Sequence, residues 1–114
     1  MHEMGLVLQA IDELKEVCEA NDVTRLISVT LEIGEASMVE QDYFRTCWDA
    51  AVNDTDWKQV KLKIHIVKAK GRCLTCAHEF YIKENDQTCP YCGAKDNFYP
   101  VTGKDLEISE IEAE

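Results

Sequence analysis

Two cysteine pairs, Cys73-Leu74-Thr75-Cys76 and Cys89-Pro90-Tyr91-Cys92, stand twelve residues apart in a chain of 114. The two-residue gap inside each pair lets the backbone turn tightly enough to aim both thiolates at one ion. Gly93, directly after the second pair, is expected to relieve crowding where amides turn toward sulfur. Two such turns supply four thiolates in a tetrahedron, with Zn–S distances of about 2.3 Å expected. Four anionic ligands leave no open position for water, so the expected site is structural and not hydrolytic. A rubredoxin-like iron centre uses the same ligands. A lone C-x-x-C would suggest a redox dithiol; two pairs at metal spacing do not. A segment of about thirty residues buries too little apolar surface to fold alone, whereas structural zinc contributes about 10–16 kcal/mol.

Whether the cysteines are thiols or disulfides depends on compartment. The opening stretch, MHEMGLVLQAIDELKE, reaches an acid by its third residue and has neither a basic leader region nor a small-residue cleavage site. No apolar run approaches the roughly 18–20 residues that span a bilayer. A cytoplasmic protein with reduced thiols and no membrane partner is therefore expected. Acidic residues number 22 against 12 basic ones, a net charge of −10 with pI near 4.7. That balance repels phosphate backbones and suits cations or basic protein surfaces. Hydrophobic residues make up 46%, enough for a packed core.

Met4, Val7, Leu8, Ile11, Leu14 and Cys18 recur at helical spacing and predict an amphipathic helix over residues 4–20. From Leu26 the pattern changes to alternation. Ile27, Val29, Leu31 and Ile33 are expected on the buried face of a strand, Ser28, Thr30 and Glu32 on the other, with Gly34 as the stop. Ser37-Met38-Val39-Glu40 has the form of a capping box, and a second helix with Tyr43, Phe44, Cys47, Trp48 and Ala51 inward should follow. Leu62, Ile64 and Ile66 mark a second strand, and Leu106 and Ile108 a third before an acidic tail. Inside the cysteine segment only Phe80-Tyr81-Ile82 and Phe98-Tyr99 read as strand. The expected fold is α+β: a small three-stranded sheet with two helices, plus an inserted zinc-ribbon-like module with four cysteine ligands. Residues 1–69 with 104–114 would form one domain and residues 70–103 the other. Cys18 and Cys47 fall on apolar helix faces and are expected in the core.

Met1-His2-Glu3 carries different chemistry. The Met1 amine, the His2 amide nitrogen and an imidazole nitrogen can close fused chelate rings around one ion. Such near-planar nitrogen ligation suits Ni(II) or Cu(II). Histidine is large, so removal of the initiator methionine is not expected. Met1-His2-Glu3, Ile33-Gly34-Glu35, Ser37, Phe44 and the two C-x-x-C pairs together resemble the nickel incorporation proteins of hydrogenase maturation, the HypA/HybF family. The resemblance runs the full length. It implies nickel at His2 with the Met1 amine, and zinc on Cys73, Cys76, Cys89 and Cys92. Glu3 would be a direct ligand, an acceptor orienting His2, or a helix-terminal acid. It further implies a non-enzymatic metallochaperone, monomeric or homodimeric. Such a protein passes transient Ni(II), with a GTPase partner, to the large subunit of a nickel–iron hydrogenase, or to a urease as some relatives do. No phosphate-binding loop is present, so GTP hydrolysis would belong to the partner.

Glu40 lies where some relatives place a metal-binding acid, but the capping box accounts for it. His65 and His78 read as solvated polar side chains. The competing reading is a zinc-ribbon interaction or nucleic-acid-binding module, for which Lys68, Lys70 and Arg72 with Phe80 and Tyr81 would be the contacts. The net charge argues against nucleic acid.

Overall fold

The computed structural model describes residues 3–114. Helix α1 (Glu3–Ala20) leads into strand β1 (Leu26–Gly34), a 3-10 turn (Glu35–Ser37) and helix α2 (Gln41–Val52). Strands β2 (Lys61–Val67), β3 (Lys70–Cys73), β4 (Glu79–Tyr81), β5 (Phe98–Thr102) and β6 (Leu106–Ala113) complete the chain. Two three-stranded sheets form, ordered β2-β1-β6 and β4-β3-β5. The α+β class, the two helices and the three-stranded sheet agree with the sequence expectation.

The chain divides into two compact units. One comprises Met1–Glu32, Val39–His65 and Leu106–Glu114; the other comprises Ile33–Met38 and Ile66–Asp105. In the first, α1 packs on α2 and β6. Its buried residues include Val7, Ile11 and Leu14 from α1, Val29 and Leu31 from β1, and Phe44, Cys47 and Trp48 from α2. Cys18 and Cys47 are buried, as their apolar spacing implies.

Several details differ from the periodicity. Met4 and Leu8 are 40% and 51% exposed, and Glu3 and Ala10 take their places on the inner face of α1. Hydrophobic spacing marks a stripe wider than the one α2 covers. On β1, Ile27 is exposed while Leu26 and Ser28 are buried. Ser28 can be buried because its hydroxyl donates to Glu112 Oε1 at 2.8 Å. On α2, Tyr43 is exposed, Ala51 is half-buried and Val52 is buried. The acidic end is no tail: Glu107, Glu110 and Glu112 belong to β6. Glu114 N donates to Arg25 O and Gly34 N to Asp105 O, so β6 runs antiparallel to β1.

The second unit holds the cysteines. Its central strand, β3, pairs antiparallel with β4 and β5. The sequence reading missed β3 because Lys70-Gly71-Arg72-Cys73 lacks apolar alternation. Gly71 is needed there: a Cβ would lie 2.8 Å from Phe98 and 3.0 Å from Ile82. The 3-10 turn belongs to this unit because Ala36 N donates to Gly103 O, and a Cβ on Gly34 would stand 2.1 Å from the Gly103 backbone.

Candidate metal centre

Cys73 ends β3, Cys76 lies in the turn after it, and Cys89 and Cys92 come from the loop between β4 and β5. The two turns that present them have the same hydrogen bonds. Ala77 N donates to Cys73 O at 2.9 Å and Cys73 N to His78 O at 2.9 Å. In the second turn Gly93 N donates to Cys89 O at 2.8 Å and Cys89 N to Ala94 O at 2.9 Å. Each loop is thereby closed across four and five residues, which leaves the thiols as its projecting groups.

All four Sγ atoms lie within 4.8 Å of one another. Cys73 and Cys92 are separated by 3.6 Å, Cys76 and Cys89 by 3.5 Å. A tetrahedron of sulfurs about 2.3 Å from zinc has edges of about 3.8 Å, so the cluster has the dimensions of a four-thiolate zinc site. Charge balance makes the same demand. The Cys76 amide, joined by that of Thr75, holds the Cys73 thiol down at about 6. Against the opposing His78 amide, burial and the thiols of Cys89, Cys92 and Cys73 push Cys76 up to about 12. Four thiols this close ionise together only around a cation.

Around them is a small apolar core. Cys73, Phe80 and Cys89 are buried, with Cys76, Ala94 and Phe98 packed against them. Phe80 and Phe98 meet edge to face at 5.5 Å. His78 is exposed, stacked on Tyr91 at 4.3 Å, with Nδ1 3.4 Å from Cys76 Sγ. It touches a thiol already matched by three others and is not needed as a fifth ligand. His65 is exposed on β2.

Met1 and His2, the expected nickel residues, lie outside the described residues. Glu3 opens α1 and is 6% exposed, and its Oε2 accepts from Glu40 N at 3.2 Å. The capping box does not form. Ser37 lies in the 3-10 turn and its hydroxyl donates to Gly34 O at 2.6 Å. Glu40 itself is the N-cap of α2, accepting from Asp42 N at 3.2 Å and Tyr43 N at 2.7 Å. Met38, in the left-handed conformation, separates Ser37 from the helix. The contact between Glu3 and Glu40 was invisible to sequence periodicity; a charged residue three positions into the chain on a buried helix face was its only signal.

Net charge is divided unevenly. The first unit holds 16 of the 22 acidic and 6 of the 12 basic side chains, the second six of each, so the whole −10 belongs to the unit that includes Glu3. Among the described residues no helix is long and apolar enough to cross a membrane.

The family described as "Hydrogenase/urease nickel incorporation, metallochaperone, hypA" matches residues 1–113. A relative called hydrogenase maturation factor HypA, from Geobacter metallireducens, is 35% identical over 115 residues spanning both chains completely. One called hydrogenase maturation factor HybF, from Klebsiella pneumoniae, is 32% identical over 114 residues, again across both chains. The solution structure of the Ni metallochaperone HypA from Helicobacter pylori superposes with a TM-score of 0.75, covering 99% of this chain and 97% of its own. Its 24% identity makes that a likeness of fold.

Proposed function

Because this chain belongs to the HypA family of hydrogenase/urease nickel-incorporation metallochaperones, we propose that it binds Ni(II) at its N-terminus and hands it to a nickel enzyme under assembly. The Met1 amine, the His2 amide nitrogen and the His2 imidazole form the chelate, with Glu3 beside them. The ion is cargo, held for transfer and then released. The acceptor is the large subunit of a nickel–iron hydrogenase, or a urease, and a GTPase partner supplies the hydrolysis this chain has no loop to perform. The setting is the cytoplasm, and the chain itself catalyses nothing.

The observation that carries this reading is kinship over the whole length with proteins named for nickel incorporation and hydrogenase maturation. Charge supports it: an acidic unit raises the local concentration of divalent cations around the terminus. Zinc on Cys73, Cys76, Cys89 and Cys92 is the structural metal. It supplies the folding energy the small second core lacks. The nucleic-acid alternative loses its contacts. Lys68 is paired with Glu84, Arg72 with Glu79 at 2.7 Å, and the Lys70 ammonium lies 5.2 Å from the Tyr81 ring centre.

The test is calorimetric titration of untagged protein with Ni(II). His2→Ala should lose tight binding, and one residue added before Met1 should weaken it by moving the free amine out of the chelate ring. Zinc content should stay at one equivalent in both. If His2→Ala takes up nickel as tightly as the parent, the N-terminal site is wrong.

A further inference from the structure

We infer that Glu40 is a positioning residue for the cargo site, acting through its backbone amide on Glu3 and not as a nickel ligand. The inference rests on the N-terminal nickel reading proposed above.

The geometry begins with an unfilled role. In a capping box, the residue three positions after the N-cap reaches back to the N-cap amide. Here that residue is Tyr43, which carries no acceptor able to do so, and the Glu40 amide goes instead to Glu3 Oε2, 37 residues earlier in the chain. Glu40 has extended backbone angles, φ −84° and ψ 117°, and its side chain folds over the start of α2. Oε1 accepts from Asp42 N and Oε2 from Tyr43 N, so both carboxylate oxygens are engaged in the cap. The cap fixes the peptide, and the peptide fixes Glu3. Glu3 is buried beside the start of α2. The residue adjoining His2 is thereby held in one place by a backbone amide.

Ligand and positioning roles make opposite demands on position 40. A ligand needs a carboxylate; a cap needs only a short acceptor, and serine and asparagine cap better than glutamate. Glu40→Ser and Glu40→Asn should therefore keep the parent nickel affinity to within about threefold, whereas Glu40→Ala should weaken it about tenfold, as loss of a group orienting a metal ligand does. In a Glu3→Ala background, Glu40→Ala should cause no further loss, because the residue it acts through is gone. Affinities are read by calorimetry with Ni(II), well below each variant's melting temperature. The inference is overturned if serine and asparagine fall together with alanine, which would make Glu40 a ligand. It is equally overturned if alanine binds nickel like the parent while only its melting temperature drops, or if the loss persists without Glu3. A parent protein whose nickel binding does not depend on His2 overturns the N-terminal reading itself, a result distinct from any of these.

Discussion

Ala77 and Gly93 occupy the same position in the two cysteine turns, each directly after the second cysteine of its pair, and both are left-handed, with φ of 65° and 79°. Glycine adopts that conformation freely, while alanine brings its Cβ against the following carbonyl at a cost of about 1–2 kcal/mol. One turn is relaxed and the other strained, although their hydrogen bonds are the same.

Ala77→Gly should therefore stabilise the metal module. Relief of the strain exceeds the extra freedom glycine gives the unfolded chain, for a net gain of about 0.5–1 kcal/mol. Gly93→Ala should cost about 1 kcal/mol and nothing for crowding, since no atom lies within 4 Å of a Cβ there. Melting temperatures of the zinc-loaded variants should move in opposite directions, and a lower value for Ala77→Gly would contradict the strain.

Loss of the structural metal should be local. Cys73→Ala or Cys89→Ala, or a strong chelator applied to the parent, should remove zinc and unfold the β4-β3-β5 sheet, whose small core cluster is Cys73, Phe80 and Cys89 with Cys76, Ala94 and Phe98 against them. The cores of α1 and α2 contain no zinc ligand and should persist. Amide exchange would show protection lost over residues 70–103 and kept over α1 and α2. Variants retaining a full zinc equivalent would refute the four-thiolate assignment, and a red, redox-active protein would indicate iron.

The legibility of this chain depended on how local each signal is. The four cysteines declared themselves because a two-residue gap has one mechanical use, and the turns that present them are closed by bonds four and five residues apart. Helices α1 and α2 and strand β1 followed from period alone. What periodicity misplaced was decided at a distance. Ser28 is buried because Glu112, 84 residues on, accepts its hydroxyl. Met4 and Leu8 are exposed because the buried face of α1 runs through Glu3 and Ala10 instead. Strand β3 has no apolar alternation because its glycine must admit Phe98 and Ile82. Ser37 satisfied the capping pattern in sequence, but the 3-10 turn claimed it, and Glu40 capped the helix alone. Such errors arise where a partner far along the chain overrules a local preference.

Glu112 provides the pH test of the first sheet. Its Oε1 accepts from Lys63 Nζ at 2.9 Å and from Ser28 Oγ at 2.8 Å, joining β2, β1 and β6 through one oxygen. The hydrogen bond from Lys63, then that from Ser28, then the Lys63 charge hold the carboxyl below its ordinary value of 4.5. A group whose folded-state pKa is depressed contributes stability that is fully present above its unfolded pKa and lost as pH falls through the folded value. The contribution of Glu112 should thus be complete above about pH 4.5 and fade below it. Glu112→Gln should lower the melting temperature at pH 7, and the gap between parent and variant should close as the pH is taken below about 4.5. Any metal that acid releases from the cysteines is released from both proteins, so the comparison isolates this carboxylate. Raised salt should also narrow the gap, because Lys63 and Glu112 are each about half exposed and their attraction is screened. A difference that stays constant from pH 7 into that acid range would mean that Glu112 acts by shape and not by charge.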